Sequence, residues 1–286
     1  MIIFSLKEDS GKNLDTQDAS LFLKGGDDLV LLIHGLTGTP REMYYIARAL
    51  NEKGYSVKIP RLLNHDKSLF ALRRTSWQEL YAAIREEFLK ADSQYKNIFV
   101  GGLSFGALLA IKLAHEFPER VKAVNSFSVI LFFDGWNAPR IKMFLHPVFA
   151  TPLKYWFYFK EGYPYGLKNK RLRSRVEAYC ENSEWDDYSE AHLYGYPVIP
   201  IACMHQNYLL AKHIMRRLGK ITVPIQILQA KEDDVTSPKS SKYIYDHIGS
   251  KDKQMKFFEN SYHIITADQE RDKVAETTVS FFDKYK

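Results

Sequence analysis

The stretch "NIFVGGLSFGALLAIKLAHEF", Asn97 to Phe117, decides the fold. It begins as a short apolar run, the pattern of a buried strand, and continues as an apolar helix halted by Pro118. Between the two lies Gly102-Leu103-Ser104-Phe105-Gly106. A Gly-x-Ser-x-Gly segment at a strand-to-helix junction forms a sharp turn that holds the serine in a strained conformation. Side chains at 102 and 106 would collide with the neighbouring strand and helix, so both positions call for glycine. The turn exposes the serine Oγ at the carboxyl end of the sheet. It also aims the N–H groups that open the next helix at any anion forming there. A serine that merely caps the helix would need neither glycine.

Outward from this segment, strand and helix patterns alternate. Residues 28–35 ("DLVLLIHG") are an apolar run ending in glycine, and 39–54 read as a helix with Thr39 as cap, Pro40 in the first turn and Gly54 at its end. Residues 55–60, 97–101, 121–133, 223–230 and 253–260 read as strands. Residues 76–90, 107–117, 237–249 and 268–285 read as helices. This alternation predicts an α/β class fold, a mostly parallel central sheet covered by helices on both faces.

Residues 134–218 break the rhythm. They are rich in aromatics and prolines, and a structureless loop of such length does not suit a compact domain. The expected organisation is a first core part over 1–133, an inserted cap over 134–218 and a second core part over 219–286.

Composition bounds the function. The 286 residues suit one large domain with an insertion. Forty Lys and Arg against 34 Asp and Glu give +6, mildly basic, with no zinc-finger spacing, RNA-binding aromatic signature or basic arm. No nucleic-acid partner is expected. Two cysteines, Cys180 and Cys203, are too few for a disulfide framework. The N-terminus lacks the pattern of a secretory signal, and no apolar run approaches the ~20 residues of a membrane span. The expectation is a cytoplasmic protein with reduced thiols.

A serine hydroxyl needs a base in reach, and the base needs an orienting acid. Around this kind of elbow the chain order is serine, acid, histidine. "ILQAKEDDVTSP" sets Asp233 and Asp234 just past a strand, and "KFFENSYHIITADQE" sets His263 just past the next. Loops at the carboxyl ends of parallel strands converge on one crevice. Ser104, one of the two aspartates and His263 can therefore meet there. The charge that develops on an acyl oxygen needs N–H donors. Phe105, the residue after the serine, supplies one, and the "HGLTGTP" loop after residue 34, at Leu36, supplies the other. His65, in "RLLNHDKS", lies near the same sheet end and is a candidate to line the pocket.

"HGLTGTP", "GLSFG", "AKEDDV" and "SYHIITADQERDKV", in that order, resemble segments of the bacterial carboxylesterase and monoacylglycerol lipase group of the α/β-hydrolase superfamily. The likeness covers roughly residues 25–130 and 220–286. It implies the α/β-hydrolase fold, with Ser104 as nucleophile, His263 as base and the N–H groups of Leu36 and Phe105 as oxyanion hole. It favours Asp233 over Asp234 as the acid, because the group leaves one residue between the acid and a following apolar residue, here Val235. The group often has Gly-His-Gly where this chain has Asn64-His65-Asp66. Gly35, His65, Tyr163 and Tyr165 are the further candidate substrate-binding residues, and this chemistry calls for no metal and no cofactor.

The implied activity is cleavage of short- to medium-chain acyl esters or monoacylglycerols through an acyl-enzyme. A thioesterase or acyltransferase would use the same triad. A non-catalytic binding protein would have lost one of its members, and none is lost. Ser104 at the elbow excludes a nucleophilic-aspartate enzyme. The "YWFYF" run (155–159) is read either as an acyl-chain wall or as glue between cap and core. The basic stretch 168–175 is read as a solvated helix face, or as a contact to anionic lipid giving weak membrane-surface association.

Overall fold

A computed structural model describes residues 20–65, 67–138, 147–182 and 195–286. Seven strands form the main sheet: β1 (Leu21–Leu23), β2 (Asp28–Ile33), β3 (Ser56–Ile59), β4 (Asn97–Leu103), β5 (Val121–Phe127), β8 (Ile225–Ala230) and β9 (Lys253–Phe258). Their spatial order is β1-β3-β2-β4-β5-β8-β9. Only the β1–β3 pair is antiparallel.

The order has a consequence for function. From β2 the chain steps to β3 on one side, then crosses back and builds β4, β5, β8 and β9 on the other. The direction reverses between β2 and β4. At such a switch point the loops leaving two adjacent strands part in opposite directions and open a crevice at the carboxyl ends. The two strands that flank it are those carrying the "HGLTG" loop and the serine elbow.

The helices cover both faces, as the alternation predicts. Leu29, Leu31 and Ile33 of β2 pack among helices Trp77–Asp92, Phe105–Glu116 and Lys239–His247. Val30 and Leu32, one residue out of phase, pack on the other face with helices Tyr44–Glu52 and Arg271–Phe282. A strand buried on both faces needs an unbroken apolar run rather than alternation. That is why "DLVLLI" reads as it does.

Local signals fix several ends. Thr39 accepts a hydrogen bond from the Arg41 N–H, with Pro40 following. Ser76 and Glu79 form a reciprocal capping box at the start of helix Trp77–Asp92. Gly54 takes φ +90° where helix Tyr44–Glu52 turns into β3.

The structure departs from expectation in three places. The strand expected over 121–133 ends at Phe127, because Ser128 adopts a positive φ of 44° and turns the chain away. Beyond it, Ile130 and Phe133 line the crevice, while Val129 and Leu131 pack into the core. The short edge strand β1 and helix Leu69–Leu72 carry too few residues for a periodic signal. Within 134–218, β6 (Tyr158–Lys160) pairs antiparallel with β7 (Val198–Pro200), beside helices Lys170–Asn182 and Ile201–Met215. Leu210, Ala211 and Ile214 of the latter helix belong to the main core.

Gly106 tests the packing directly. A Cβ there would sit 2.3 Å from the Ile33 carbonyl oxygen and 2.5 Å from that of His34. These are backbone atoms, which cannot swing aside as a flexible side chain could. Gly106→Ala is expected to cost about 3 kcal/mol of unfolding free energy by urea denaturation. A cost below about 1 kcal/mol would show that the helix can back away from β2.

Candidate active site

Ser104 sits where β4 passes into helix Phe105–Glu116, with φ 60° and ψ −116°. For a non-glycine residue this is a strained backbone, at a cost of about 1–3 kcal/mol. The surroundings enforce it. A Cβ on Gly102 would lie 2.2 Å from the Gly106 carbonyl oxygen, and Gly106 is pressed against β2 as described. The Ser104 N–H is held by the Phe127 carbonyl at 2.8 Å. Strand and helix thus meet too closely for any ordinary turn, and the serine side chain is driven into the crevice.

Asp233 and His263 meet there across thirty residues of sequence. The His263 ring Nδ1 lies 2.9 Å from Asp233 Oδ2 and 3.0 Å from Oδ1. Asp233 is itself fixed: its Oδ1 accepts the N–H groups of Val235 and Thr236 at 2.9 Å, and its Oδ2 accepts Gln229 Nε2 at 2.6 Å. Asp234 is bound to backbone. Its Oδ1 accepts the His263 N–H and its Oδ2 the Gly166 N–H, both at 3.1 Å. The twin acids therefore divide the work: one holds the imidazole, and the other ties the loop that carries it to the insertion at Gly166.

Electrostatics follow from this packing. Burial pulls the His263 pKa down, but the Asp233 charge and hydrogen bond, with Asp234 and Glu42 beyond, outweigh it and leave the pKa above the usual 6.5. Burial, then the neighbouring Asp233 charge, raises the Asp234 carboxyl.

The loop after β2 is braced by two histidines. His34 Nε2 accepts the Leu62 N–H at 3.0 Å, and His65 Nε2 accepts the Thr37 N–H at 3.2 Å. Burial, then His65, holds His34 well below the usual histidine range, so it is the neutral acceptor this bond requires. Glu42 Oε2 accepts the Gly35 N–H at 2.8 Å. Gly38 is wrapped so closely on that carboxyl that a Cβ would meet it at 2.1 Å. With these bonds made, the N–H groups of Leu36 and Phe105 donate to no other group among the described residues.

One cavity is lined by Gly35, Leu36, Ser104, Tyr165 and His263 together. Phe105 is buried beneath it and offers only its N–H. Two sequence candidates are corrected. His65 is a buried strut: its ring is spent on the Thr37 N–H and on the Leu63 carbonyl, so it lies behind the loop. Tyr163 is 58% exposed, with the Arg173 guanidinium over its ring, and points away from the cavity. In the "YWFYF" run, Trp156, Phe157 and Tyr158 are exposed and line nothing here. Of the basic stretch, Lys168 pairs with Glu232, and none of residues 168–175 lines the cavity. His146, His192 and Tyr194 lie outside the described residues.

Several site residues were missed by sequence reasoning. Ile130 and Phe133, read as strand, are cavity wall. Glu42 and Glu161 both line the cavity, although nothing local marks them. Tyr179 and Cys180 also line it, together with Tyr196, one of the aromatics of the insertion that suit an acyl-chain wall. Burial pushes the Cys180 thiol up to about 12, so it is not a competing nucleophile at neutral pH. Asp268 accepts the N–H groups of Lys168, Asn169 and Tyr262 at 2.8 Å, tying the insertion to the histidine loop. An acid five residues after His263 was its only signal.

Comparison with known proteins gives the family and the fold. The family profile described as "Serine aminopeptidase, S33" matches residues 26–270. The thermostable monoacylglycerol lipase of Bacillus sp. (strain H-257) is 26% identical, over 92% of this chain and 94% of that one. The carboxylesterase of Bacillus subtilis (strain 168) is 25% identical, over 91% and 94%. Among solved structures, a metagenome-derived lipolytic enzyme superposes with TM-score 0.74 at 24% identity, over 94% of this chain and 98% of that one. The monoacylglycerol lipase of Paleococcus ferrophilus gives 0.73 at 18%, over 93% and 98%. At these identities the structural likeness speaks to the fold alone, which is the α/β-hydrolase fold.

The balance at His263 can be read by NMR. The imidazole is expected to titrate above 6.5 in the unmodified protein and lower in Asp233→Asn, where burial acts with its main opponent removed. An unchanged titration would mean that Asp233 does not set the charge state of the ring.

Proposed function

Because the chain belongs to the serine aminopeptidase S33 family, we propose that it is a carboxylic ester hydrolase working through Ser104, His263 and Asp233. The observation that carries this reading is the 2.9 Å bond between His263 Nδ1 and Asp233, in the same cavity as the strained Ser104. That bond fixes Nδ1 as the protonated nitrogen and leaves Nε2 as the base.

Ser104 Oγ attacks the acyl carbonyl while His263 Nε2 takes its proton. The carbonyl oxygen becomes an anion between the N–H groups of Leu36 and Phe105, each donor worth about 2.7–4 kcal/mol in such sites. The charged imidazole is stabilised by Asp233 and gives its proton to the leaving alcohol. Water, deprotonated by the same nitrogen, then cleaves the acyl-enzyme. The raised His263 pKa places the acid limb of activity above 6.5, because a protonated ring cannot accept the serine proton and activity rises as the ring loses its charge.

The substrate class rests on the walls and on the relatives. Leu103, Ile130, Phe133, Val176 and Ile264 give an apolar lining suited to an acyl chain. The relatives covered almost end to end are named a monoacylglycerol lipase and a carboxylesterase. Short- to medium-chain esters or monoacylglycerols are the substrates this supports.

Hydrolysis of p-nitrophenyl esters from acetyl to palmitoyl is expected to peak at short or medium chains and to vanish in Ser104→Ala. Activity surviving in that variant would move the nucleophile elsewhere. Asp233→Asn is expected to lower kcat by about 10⁴-fold. Asp234→Asn, which loosens two backbone contacts but keeps the ring partner, is expected to cost far less. The reverse ranking would exchange the two assignments.

A further inference from the structure

The cavity carries two carboxyls that the proposed reaction does not use. Glu42 has an oxygen on the Gly35 N–H, which accounts for it. Glu161 is different. Its backbone N–H is anchored on the Pro197 carbonyl at 2.8 Å, at the end of β6, and its side chain lines the cavity half-buried. Among the described residues no group donates a hydrogen bond to its carboxyl or pairs with it as an ion.

The charge around it is one-sided. No lysine or arginine is among the described residues that line the cavity, although the chain has 40 of them and a net charge of +6. Among the described residues, the titratable groups that face Glu161, besides His263, are Asp234, Glu42, Tyr165 and Cys180. Burial first, then the Asp234 charge, pushes the Glu161 carboxyl up to about 7. Beside Thr37 and Asn207, the wall holds the aromatic rings of Tyr165, Tyr179 and Tyr196. The Tyr179 hydroxyl bonds the Gly195 carbonyl, and the Tyr196 hydroxyl bonds those of Asn64 and Lys67, so both present rings to the cavity.

A carboxyl with no hydrogen-bond or ion-pair partner among the described residues, in a cavity whose described lining carries acids and aromatic rings but no lysine or arginine, has one complementary ligand chemistry. Resting on the ester-hydrolase reading above, we propose that this cavity selects esters that carry an ammonium group, and that Glu161 is the specificity-determining residue that reads the charge. A primary ammonium beside Glu161 gains a charge-assisted hydrogen bond roughly twice as strong as a hydroxyl would make, and a quaternary one gains the Coulomb attraction alone. The rings add cation–π attraction. A carboxylate- or phosphate-bearing ester meets Glu161, Glu42 and Asp234 as like charges and is rejected.

The test needs an armed serine and two probes of equal shape. One is a p-nitrophenyl alkylphosphonate whose second ester group is 2-(trimethylammonio)ethyl. The other carries the neutral isostere 3,3-dimethylbutyl. In both, the Ser104 Oγ–phosphorus bond forms, the bond from phosphorus to the p-nitrophenyl oxygen breaks, and His263 passes the serine proton to the departing p-nitrophenol. The rate of p-nitrophenol release is measured at pH 8, and the modified residue is identified by mass spectrometry. The ammonium probe is expected to react about tenfold faster than its isostere. That ratio is expected to fall to about 1–2 in Glu161→Gln and to persist in part in Glu161→Asp. A ratio at or below 1 in the unmodified protein overturns the inference, even if both probes label Ser104. So does a tenfold ratio that survives in Glu161→Gln. If neither probe modifies Ser104, the hydrolase reading itself fails and takes this inference with it.

Discussion

The close seat of Gly106 on the last carbonyls of β2 is the contact from which the rest of the site follows. Helix Phe105–Glu116 can approach β2 this closely only because no Cβ intervenes. The approach forces β4 to turn into the helix within one residue, and Ser104 absorbs the turn with φ 60°. The same approach brings the helix start beside the loop that leaves β2. The N–H groups of Phe105 and Leu36 therefore come to flank one crevice. A single steric constraint in the backbone places Ser104 and both proposed anion donors together. A strained residue persists only where its surroundings over-determine it, and here they do on two sides.

The remaining parts are held by hydrogen bonds rather than by packing. Each loop that reaches the crevice is tied to another by a buried side chain. His34 and His65 tie the loop after β2 to the one after β3. Asp234 ties the histidine loop to the insertion at Gly166, and Asp268 repeats the tie at Lys168 and Asn169. Asp134 accepts the Ser237 N–H and hydroxyl and so fixes the loop that carries Asp233. Catalytic groups on loops reach a useful geometry only when such supports lock them. The chain spends buried polar residues on this, and each of these is paired.

The parts legible in the sequence are those with a local cause. The apolar run of β2 declares burial on both faces, the capping residues declare helix starts, and the two glycines around Ser104 declare the elbow. Asp233 and His263 stand out as candidates because each lies just past a strand end. The Asp233–Asp234 choice came from a resemblance and not from spacing, and the bond of His263 Nδ1 to Asp233 agrees with it. Glu42, Glu161 and Tyr179 are not legible, since their place on the cavity wall depends on how distant segments fold together, whereas Tyr196 is one of the cap aromatics that suit an acyl-chain wall. His65 was misjudged for the same reason. Its position near the sheet end was right, but whether its ring faced the cavity or the Thr37 N–H was a tertiary matter. The apolar tail after Phe127 failed because a run of apolar residues marks burial without saying whether a sheet or a cavity wall receives it.

The central claim is that the elbow, the two backbone N–H groups and the Asp233–His263 pair form one acyl-transfer site. A crystal structure of the protein inhibited by a neutral alkylphosphonate tests it most directly. The expected result is phosphorus bonded to Ser104 Oγ, one phosphonyl oxygen about 2.7–3.1 Å from the nitrogens of Leu36 and Phe105, and His263 still on Asp233. An adduct on another residue, or a phosphonyl oxygen turned away from both nitrogens, would contradict it.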